Sequence, residues 1–522
     1  MQERMRKASK GGVSKLASGD LNILAESTKA PDAICVSDID HVAVALKDLA
    51  AGQQSSIAPQ LALRADIPKG HKFALRNIAA GNEILKYGWP IGVATEDIQA
   101  GDWVHVHNVK TSLGGEQTYS YQPKHPPVRR SGGLDTFLGY KRPDGRVGVR
   151  NEIWIIATVG CVANVCDAVA MQARLELKGR IDGVLSISHP FGCSQLGDDL
   201  SNTRTILAAL AQHPNAGGVV VVGLGCENNQ MSELLKAAPN LDPNRVRTVR
   251  AQSVDDERLA TLEAIYELAN IIEKDERTEC ASSELVIGVK CGGSDGLSGL
   301  TANPLVGAMT DRVTQDGGAA ILTEIPEIFG AEHLLMRHCE NEGVFNDLVQ
   351  VVNDFKRYFL DLNQPVYENP SPGNKEGGVT TLEEKSLGAV QKAGQAQVTS
   401  VIRYGGRVKA KGLTVLEAPG NDAVSSTALA AAGATIILFT TGRGTPLGFP
   451  APTIKISSNS DLAQRKTSWI DFNAGRIVEG EARADVEDSL WRHILDVANG
   501  KLTRAEERQE RSVALWKQGV TL

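Results

Sequence analysis

Long apolar runs are missing from this chain of 522 residues. No stretch approaches the ~18 consecutive apolar residues that a membrane-crossing helix needs. The longest, residues 427–439, is broken by Gly433 and Thr435 and reads as a buried helix end followed by a strand. A basic block is missing too: 55 Lys and Arg stand against 62 Asp and Glu, a formal net charge of −7. That balance disfavours nucleic acid and anionic membranes as partners, while a local basic pocket can still take a small anionic substrate. Cysteine is sparse at eight residues, and the basic start MQERMRKASKGGVSKLASGD has no apolar core of a secretory signal. Together these predict free thiols in a reducing, cytoplasmic setting rather than a disulfide framework. The glycine signatures of nucleotide binding are incomplete. Gly223-x-Gly225 follows a four-valine run but Asn228-Asn229 bring no third glycine, and no G-x-x-x-x-G-K-[ST] run occurs.

What is present is 42% hydrophobic and 22% charged residues, the profile of a globular protein. At ~100–200 residues per domain the length fits two to four domains. Residues 1–35 are expected as a disordered extension. Residues 36–108, with short apolar runs cut by Pro and Gly turns, predict a small β-rich module. The Gly/Pro-containing stretch 109–134 reads as a linker. Beyond it the texture becomes α/β, with buried-strand patterns at 153–159, 183–187, 219–222, 285–289, 320–323 and 435–439 separated by helical patterns. Such alternation predicts largely parallel sheets, as a first α/β domain at 135–280 and a second at 284–522 with a C-terminal helix.

Four of these strands run into glycine-flanked cysteines: Gly160-Cys161, Gly192-Cys193, Gly225-Cys226 and Cys291-Gly292. In open α/β sheets ligands bind outside the carboxyl ends of strands, so the four thiols are candidates for one pocket. A free cysteine also serves as a small buried hydrophobe, and that reading stands beside the functional one. The spacings match no C-x-x-C zinc signature, and a site drawn from several strands suits iron or an iron–sulfur cluster better. Arg443, between glycines in TTGRGTP, can present a guanidinium fork to a carboxylate or stand solvated in a turn. Lys375 sits on the Pro/Gly-rich loop 365–378. Among the histidines, His71 and His189 lie on glycine- or cysteine-bearing loops, and His105 and His107 alternate along an expected strand at 103–108.

The segments GHKFAL, KYGWPIG, GVRNEIWIIATVGCV, HPFGCSQLGDD, VVGLGCENNQ, CGGSDGLSGLTANP, ENPSPGNKEGG and FTTGRGTP closely resemble the altronate/galactarate dehydratase family of sugar-acid hydro-lyases. The likeness covers about residues 36–522, in order. It implies an N-terminal SAF module of β-clip fold followed by paired α/β domains, and dehydration of D-altronate to 2-dehydro-3-deoxy-D-gluconate with iron(II). An iron–sulfur cluster is the alternative cofactor, and a homo-oligomer is possible. HVHNVKT, SQLGDD and PEIFGAEHLL look more like altronate than galactarate members. Galactarate dehydration, or elimination from another sugar acid or a sulfonate, is the alternative activity. One departure is visible: where the family often carries a histidine near the start of the SAF module, this chain has Ser37, with His41 four residues on.

The implied chemistry is a β-elimination. It needs a base for C2–H, an acid for the departing C3 hydroxyl and positive charge for the carboxylate-stabilised intermediate. His71, Lys72 and His189 are the expected catalytic groups, with Lys72 lowered in pKa by burial or neighbouring cations. Arg443, Lys375, Asp198 and Asp199 are the expected substrate-binding groups, the two aspartates alternatively being a plain helix N-terminus. Cys161, Cys193, Cys226, Cys291 and His71 are the expected metal ligands.

Overall fold

The computed structural model describes residues 31–124 and 135–522. Most of the expected extension and the second part of the expected linker lie outside the described residues. The short apolar runs of the N-terminal module form antiparallel sheets. One has the order Ala33–Ile34, Val42–Ala45, Lys72–Ala74, Trp103–Val104, and another the order Glu83–Lys86, Trp89–Ala94, Val109–Lys110. All four residues of Val42–Ala45 and all three of Lys72–Ala74 are buried, so a lysine sits inside this small core.

The first α/β unit is a four-stranded parallel sheet in the order Gly183–Ile187, Glu152–Ala157, Ala216–Gly223, Val246–Arg250. Its central strand, EIWIIA, is buried on both faces, as expected of a parallel strand covered by helices on either side. The second unit is a seven-stranded parallel sheet. There Val286–Cys291 lies between Ala319–Leu322 and Ile436–Thr441. In each sheet the first strand in sequence ends up between the next strand on one side and a later strand on the other. The winding direction therefore reverses beside it, and a crevice opens at its carboxyl end. The strand expectations thus hold at both sheets, with Val246–Arg250 and the outer strands of the larger sheet added by the structure.

The two α/β units are bound together at several places. The chain enters and leaves the first through neighbouring antiparallel strands, Thr136–Lys141 and Thr278–Ala281. Helix Arg483–Ala498 packs on Thr136–Lys141, and the segment after it turns back over the first unit. Arg150 forks onto Glu506 at 2.8 and 3.0 Å with both side chains buried. Arg511 similarly grips Glu152. Burial pushes the Glu506 carboxyl up, but Arg150, Arg511 and the Thr503 amide outweigh it and hold it below the ordinary value of 4.5. A depressed carboxyl stabilises the fold above its unfolded pKa and loses that contribution as pH falls through the folded value. Replacing Glu506 by Gln leaves Arg150 buried without its counter-charge, so a loss of about 3–5 kcal/mol is expected at pH 7. Denaturant titration should show it, and the difference from wild type should shrink toward pH 3.

Candidate active site

Strand Val286–Cys291 carries a lysine into the protein interior as its penultimate residue. Lys290 Nζ lies 2.6 Å from Asp422 Oδ1 and 3.1 Å from Glu324 Oε1, over the ring of Phe439. Glu324 follows the neighbouring strand in a left-handed conformation, φ 71°, unusual for a residue with a Cβ. That turn aims its carboxylate back at the Cys291 amide, 2.9 Å away. Lys392 Nζ is 2.8 Å from Cys291 Sγ and 3.3 Å from Glu324 Oε2. Lys385 Nζ is 2.8 Å from Glu327 Oε1, and Glu327 Oε2 is 3.4 Å from Cys291 Sγ. Burial pushes the Cys291 thiol up to about 12, with Lys392 opposing.

Cys291, Glu324 and Glu327 are the one trio among the described residues whose donor atoms all lie within 4.8 Å of one another. The spacing suits a metal ion; the charge does not. Lys290, Lys385 and Lys392 already neutralise Glu324, Glu327 and Asp422, and a divalent cation would sit against three ammonium groups. The arrangement is a charge-compensated acid–base centre, suited to receiving an anion once a carboxylate gives way.

The small module closes over the same crevice. A Cβ on Gly296 or Gly378 would strike the Gly70 carbonyl, so backbone meets backbone here and only glycine fits. His71 donates from Nε2 to the Glu376 carbonyl (3.0 Å) and accepts at Nδ1 from Trp103 Nε1 (3.3 Å), which assigns it the neutral Nε2–H tautomer. Both ring nitrogens are thus engaged, and the His105 ring lies 4.9 Å from it. Lys72 Nζ reaches the Gly378 carbonyl (2.6 Å) and Glu384 Oε2 (2.9 Å), while Lys86 takes the other Glu384 oxygen at 2.7 Å. Burial pushes Lys72 down to about 8 against the pull of Glu384, and Lys86 adds to the fall. Glu384 is destabilised by burial, but the two lysines hold it far below the carboxylate range.

Lys385 follows Glu384 directly, so the Glu384 and Cys291 centres are contiguous. A cavity of about 10 Å³, room for about one water, lies between them, lined by Lys86, Asp295, Ser298, Glu384 and Lys385. Arg443 belongs to the loop that crosses the crevice, its amide donating to the Gly293 carbonyl at 2.9 Å. Its guanidinium lies 2.8 Å from Glu376 Oε2, both side chains largely exposed. Lys455, in a buried strand, fixes the following turn by donating to the carbonyls of Thr445, Pro446 and Leu447. A cleft of about 300 Å³ opens along the seam, lined by Leu46, Lys47 and Lys69 of the module and by Asn459, Ser460 and Glu479. Asn459 ties this cleft to the crevice by donating to Asp295 Oδ2 and the Gly442 carbonyl, both at 3.0 Å.

His71, Lys72, Arg443 and the loop bearing half-buried Lys375 are therefore brought together. The expected single pocket of four thiols is not formed. Cys291 ends a strand of the seven-stranded sheet, whereas Cys161, Cys193 and Cys226 follow strands of the four-stranded one and are exposed. His189 also stands there. It donates from Nε2 to the Ala157 carbonyl (2.9 Å) and accepts at Nδ1 from the Phe191 amide (3.1 Å), and burial pushes it down to about 4. Asp199 accepts from the amides of Gln518 and Gly519 at 2.8 and 2.7 Å, and Asp198 is exposed in the first turn of helix Gly197–Ala211. His41 Nδ1 lies 3.2 Å from the Glu83 carbonyl. Sequence reasoning passed over Lys290, Lys385, Lys392, Glu324, Glu327 and Glu384. The available signal was a lysine inside an otherwise apolar strand run, VIGVKC, since an unpaired cation does not survive there.

Three family models match the chain: the altronate/galactarate dehydratase SAF domain at residues 31–112, the D-galactarate dehydratase/altronate hydrolase second domain at 139–274, and the D-galactarate/altronate dehydratase C-terminal domain at 282–521. Altronate dehydratase of Escherichia coli is 50% identical over 94% of this chain and 99% of its own. That of Bacillus subtilis is 47% identical over 92% of this chain and 98% of its own. Galactarate dehydratase (L-threo-forming) of Escherichia coli is more distant, 35% identical over 90% of this chain and 93% of its own. With its SAF module, its paired parallel sheets and full-length relatives of this kind, the chain belongs to the altronate/galactarate dehydratase family.

Proposed function

We propose that this protein is a carbon–oxygen hydro-lyase that converts D-altronate to 2-dehydro-3-deoxy-D-gluconate. The observation that carries this reading is 50% identity to an altronate dehydratase over nearly the whole chain, against 35% to a galactarate dehydratase. The crevice between module and seven-stranded sheet supports it, because it gathers lysines and Arg443 whose present partners are carboxylates, one of which a sugar-acid carboxylate can replace. Cytoplasmic hexuronate breakdown is the setting we assign to it. No helix among the described residues is long and apolar enough to cross a membrane.

Substrate enters by the 300 Å³ cleft, where Asn459 and Ser460 meet its hydroxyls. Arg443 leaves Glu376 for the substrate carboxylate, a bidentate exchange of one carboxylate for another. Lys72 takes the C2 proton. Burial brings Lys72 down to about 8, and to reach C2 its Nζ must leave the Gly378 carbonyl and Glu384. The C2–H electron pair forms the C2=C3 bond, and the C3 hydroxyl departs as water with a proton from the lysine centre. The enol then becomes the 2-keto acid.

Arg443→Ala should lower kcat/KM for D-altronate by ~10²-fold or more with the fold intact; near-normal kinetics would exclude the carboxylate clamp. For Lys72 as base, kcat/KM rises with pH through about 8. Glu384 raises the Lys72 pKa, so Glu384→Gln should move that rise to lower pH. An unmoved profile, or a folded Lys72→Met with wild-type kcat/KM, would assign the base elsewhere.

A further inference from the structure

We infer that Cys161, Cys193 and Cys226 hold an iron–sulfur cluster through three thiolates, leaving one iron free for an oxygen ligand. Three neighbouring strands of the four-stranded sheet lead to these residues. Glu152–Ala157 runs to Cys161, and the strands on its two sides, Gly183–Ile187 and Ala216–Gly223, run to Cys193 and Cys226. Adjacent strands lie about 4.8 Å apart, so all three loops start within about 10 Å. The central strand is also the point where the winding of this sheet reverses, the place at which open α/β sheets bind ligands.

The loops are fixed by polar contacts that leave their thiols outside. Gly160 donates its amide to the Phe191 carbonyl (2.8 Å), and Asn229 donates its own to the Gly192 carbonyl (2.9 Å). The Ser194 amide donates to Asn228 Oδ1 (2.8 Å), and Asn229 Nδ2 donates to the Thr158 carbonyl (3.0 Å). Glu227 is buried and accepts from Thr158 Oγ1 and the Gly225 amide, both at 2.6 Å. His189 closes the set by bonding the end of the central strand to the Phe191 amide, a positioning role rather than a catalytic one. A Cβ on Gly192 would strike the Thr158 carbonyl, so this loop can approach the central strand only with glycine there. Despite this order, Cys161, Cys193 and Cys226 are the three exposed cysteines among the eight, while Cys166, Cys280, Cys291 and Cys339 are buried. A cysteine kept as a small hydrophobe is buried; three held outward at one sheet edge are ligands.

With metal–sulfur bonds of about 2.3 Å, a tetrahedral ion draws its sulfurs to about 3.8 Å. The three Sγ atoms do not all lie within 4.8 Å of one another, so as they stand they do not form a cage for one ion. A cluster of several irons, which bridges thiols further apart, is the group we assign to them. Gln252 Nε2 approaches Cys226 Sγ at 3.5 Å, a hydrogen bond to sulfur of the kind that tunes such clusters. Three thiolates leave one iron open to an oxygen ligand, and the cluster does not rest on the dehydratase reading.

The test is anaerobic purification of the full chain, with iron and acid-labile sulfide counted per chain and the reduced protein measured by electron paramagnetic resonance. About four of each per chain is expected, with a cluster signal on reduction. Serine at Cys161, Cys193 or Cys226 should remove most of both, and Cys291→Ser should keep them. Iron without labile sulfide, or full loading in all three serine variants, would overturn the inference. Should a variant not fold, wild type decides: the three thiols must resist alkylation when loaded and react after chelation, and equal reactivity in both states would overturn it. D-Altronate turnover is scored separately, so a loaded cluster in a protein inactive on altronate would refute the proposed substrate alone.

Discussion

Lys290, Lys385 and Lys392 lie inside the protein at the carboxyl edge of the seven-stranded sheet, and none could remain there as a cation without Glu324, Glu327 and Asp422. Burying one unpaired charge costs several kcal/mol, so the six groups stand or fall together. Their positions dictate local backbone. Glu324 adopts a left-handed conformation to reach both Lys290 and the Cys291 amide. Lys72 and Lys86 extend the same network into the N-terminal module through one carboxylate, Glu384, whose two oxygens take one lysine each. The module is thereby fixed to the catalytic part by charge as well as by the glycine-to-glycine approach at Gly70, Gly296 and Gly378.

The same topology occurs twice and is used differently. Both parallel sheets reverse their winding beside their first strand, and both place a cysteine-bearing, glycine-rich loop at that point. In the larger sheet the thiol is buried between Lys392 and Glu327. In the smaller sheet three thiols face outward from loops fixed by amide hydrogen bonds. A buried, already neutral centre suits proton and carboxylate chemistry, and exposed thiolates at a reversal point suit a metal cluster. Iron and acid–base groups are thus assigned to separate places.

Much of the fold was legible in the sequence. Alternating apolar strands and helical patterns marked both parallel sheets, because strands covered on both faces need continuous runs such as EIWIIA and IILFTT. The loops at Cys161, Cys193, Cys226 and Cys291 were legible as strand ends, but not that they divide between two sheets, since strand order is set by packing that no local run encodes. Lys72 and Arg443 were read from their loops, while Lys385 and Lys392 were not. They lie on helical segments where a lysine ordinarily marks the solvated face, and only the tertiary arrangement turns them inward. Asp199 shows the opposite case: a helix-start aspartate that reads as a site residue, its carboxylate taken up by the backbone of residues 518–519.

The central claim is that the N-terminal module and the seven-stranded sheet form one substrate site across their seam. Hydrogen–deuterium exchange with saturating 2-dehydro-3-deoxy-D-gluconate, the stable product, tests it most directly. Joint protection of residues 70–74, 291–296, 376–380 and 441–445 is the result this account predicts. Protection confined to one side of the seam would contradict it.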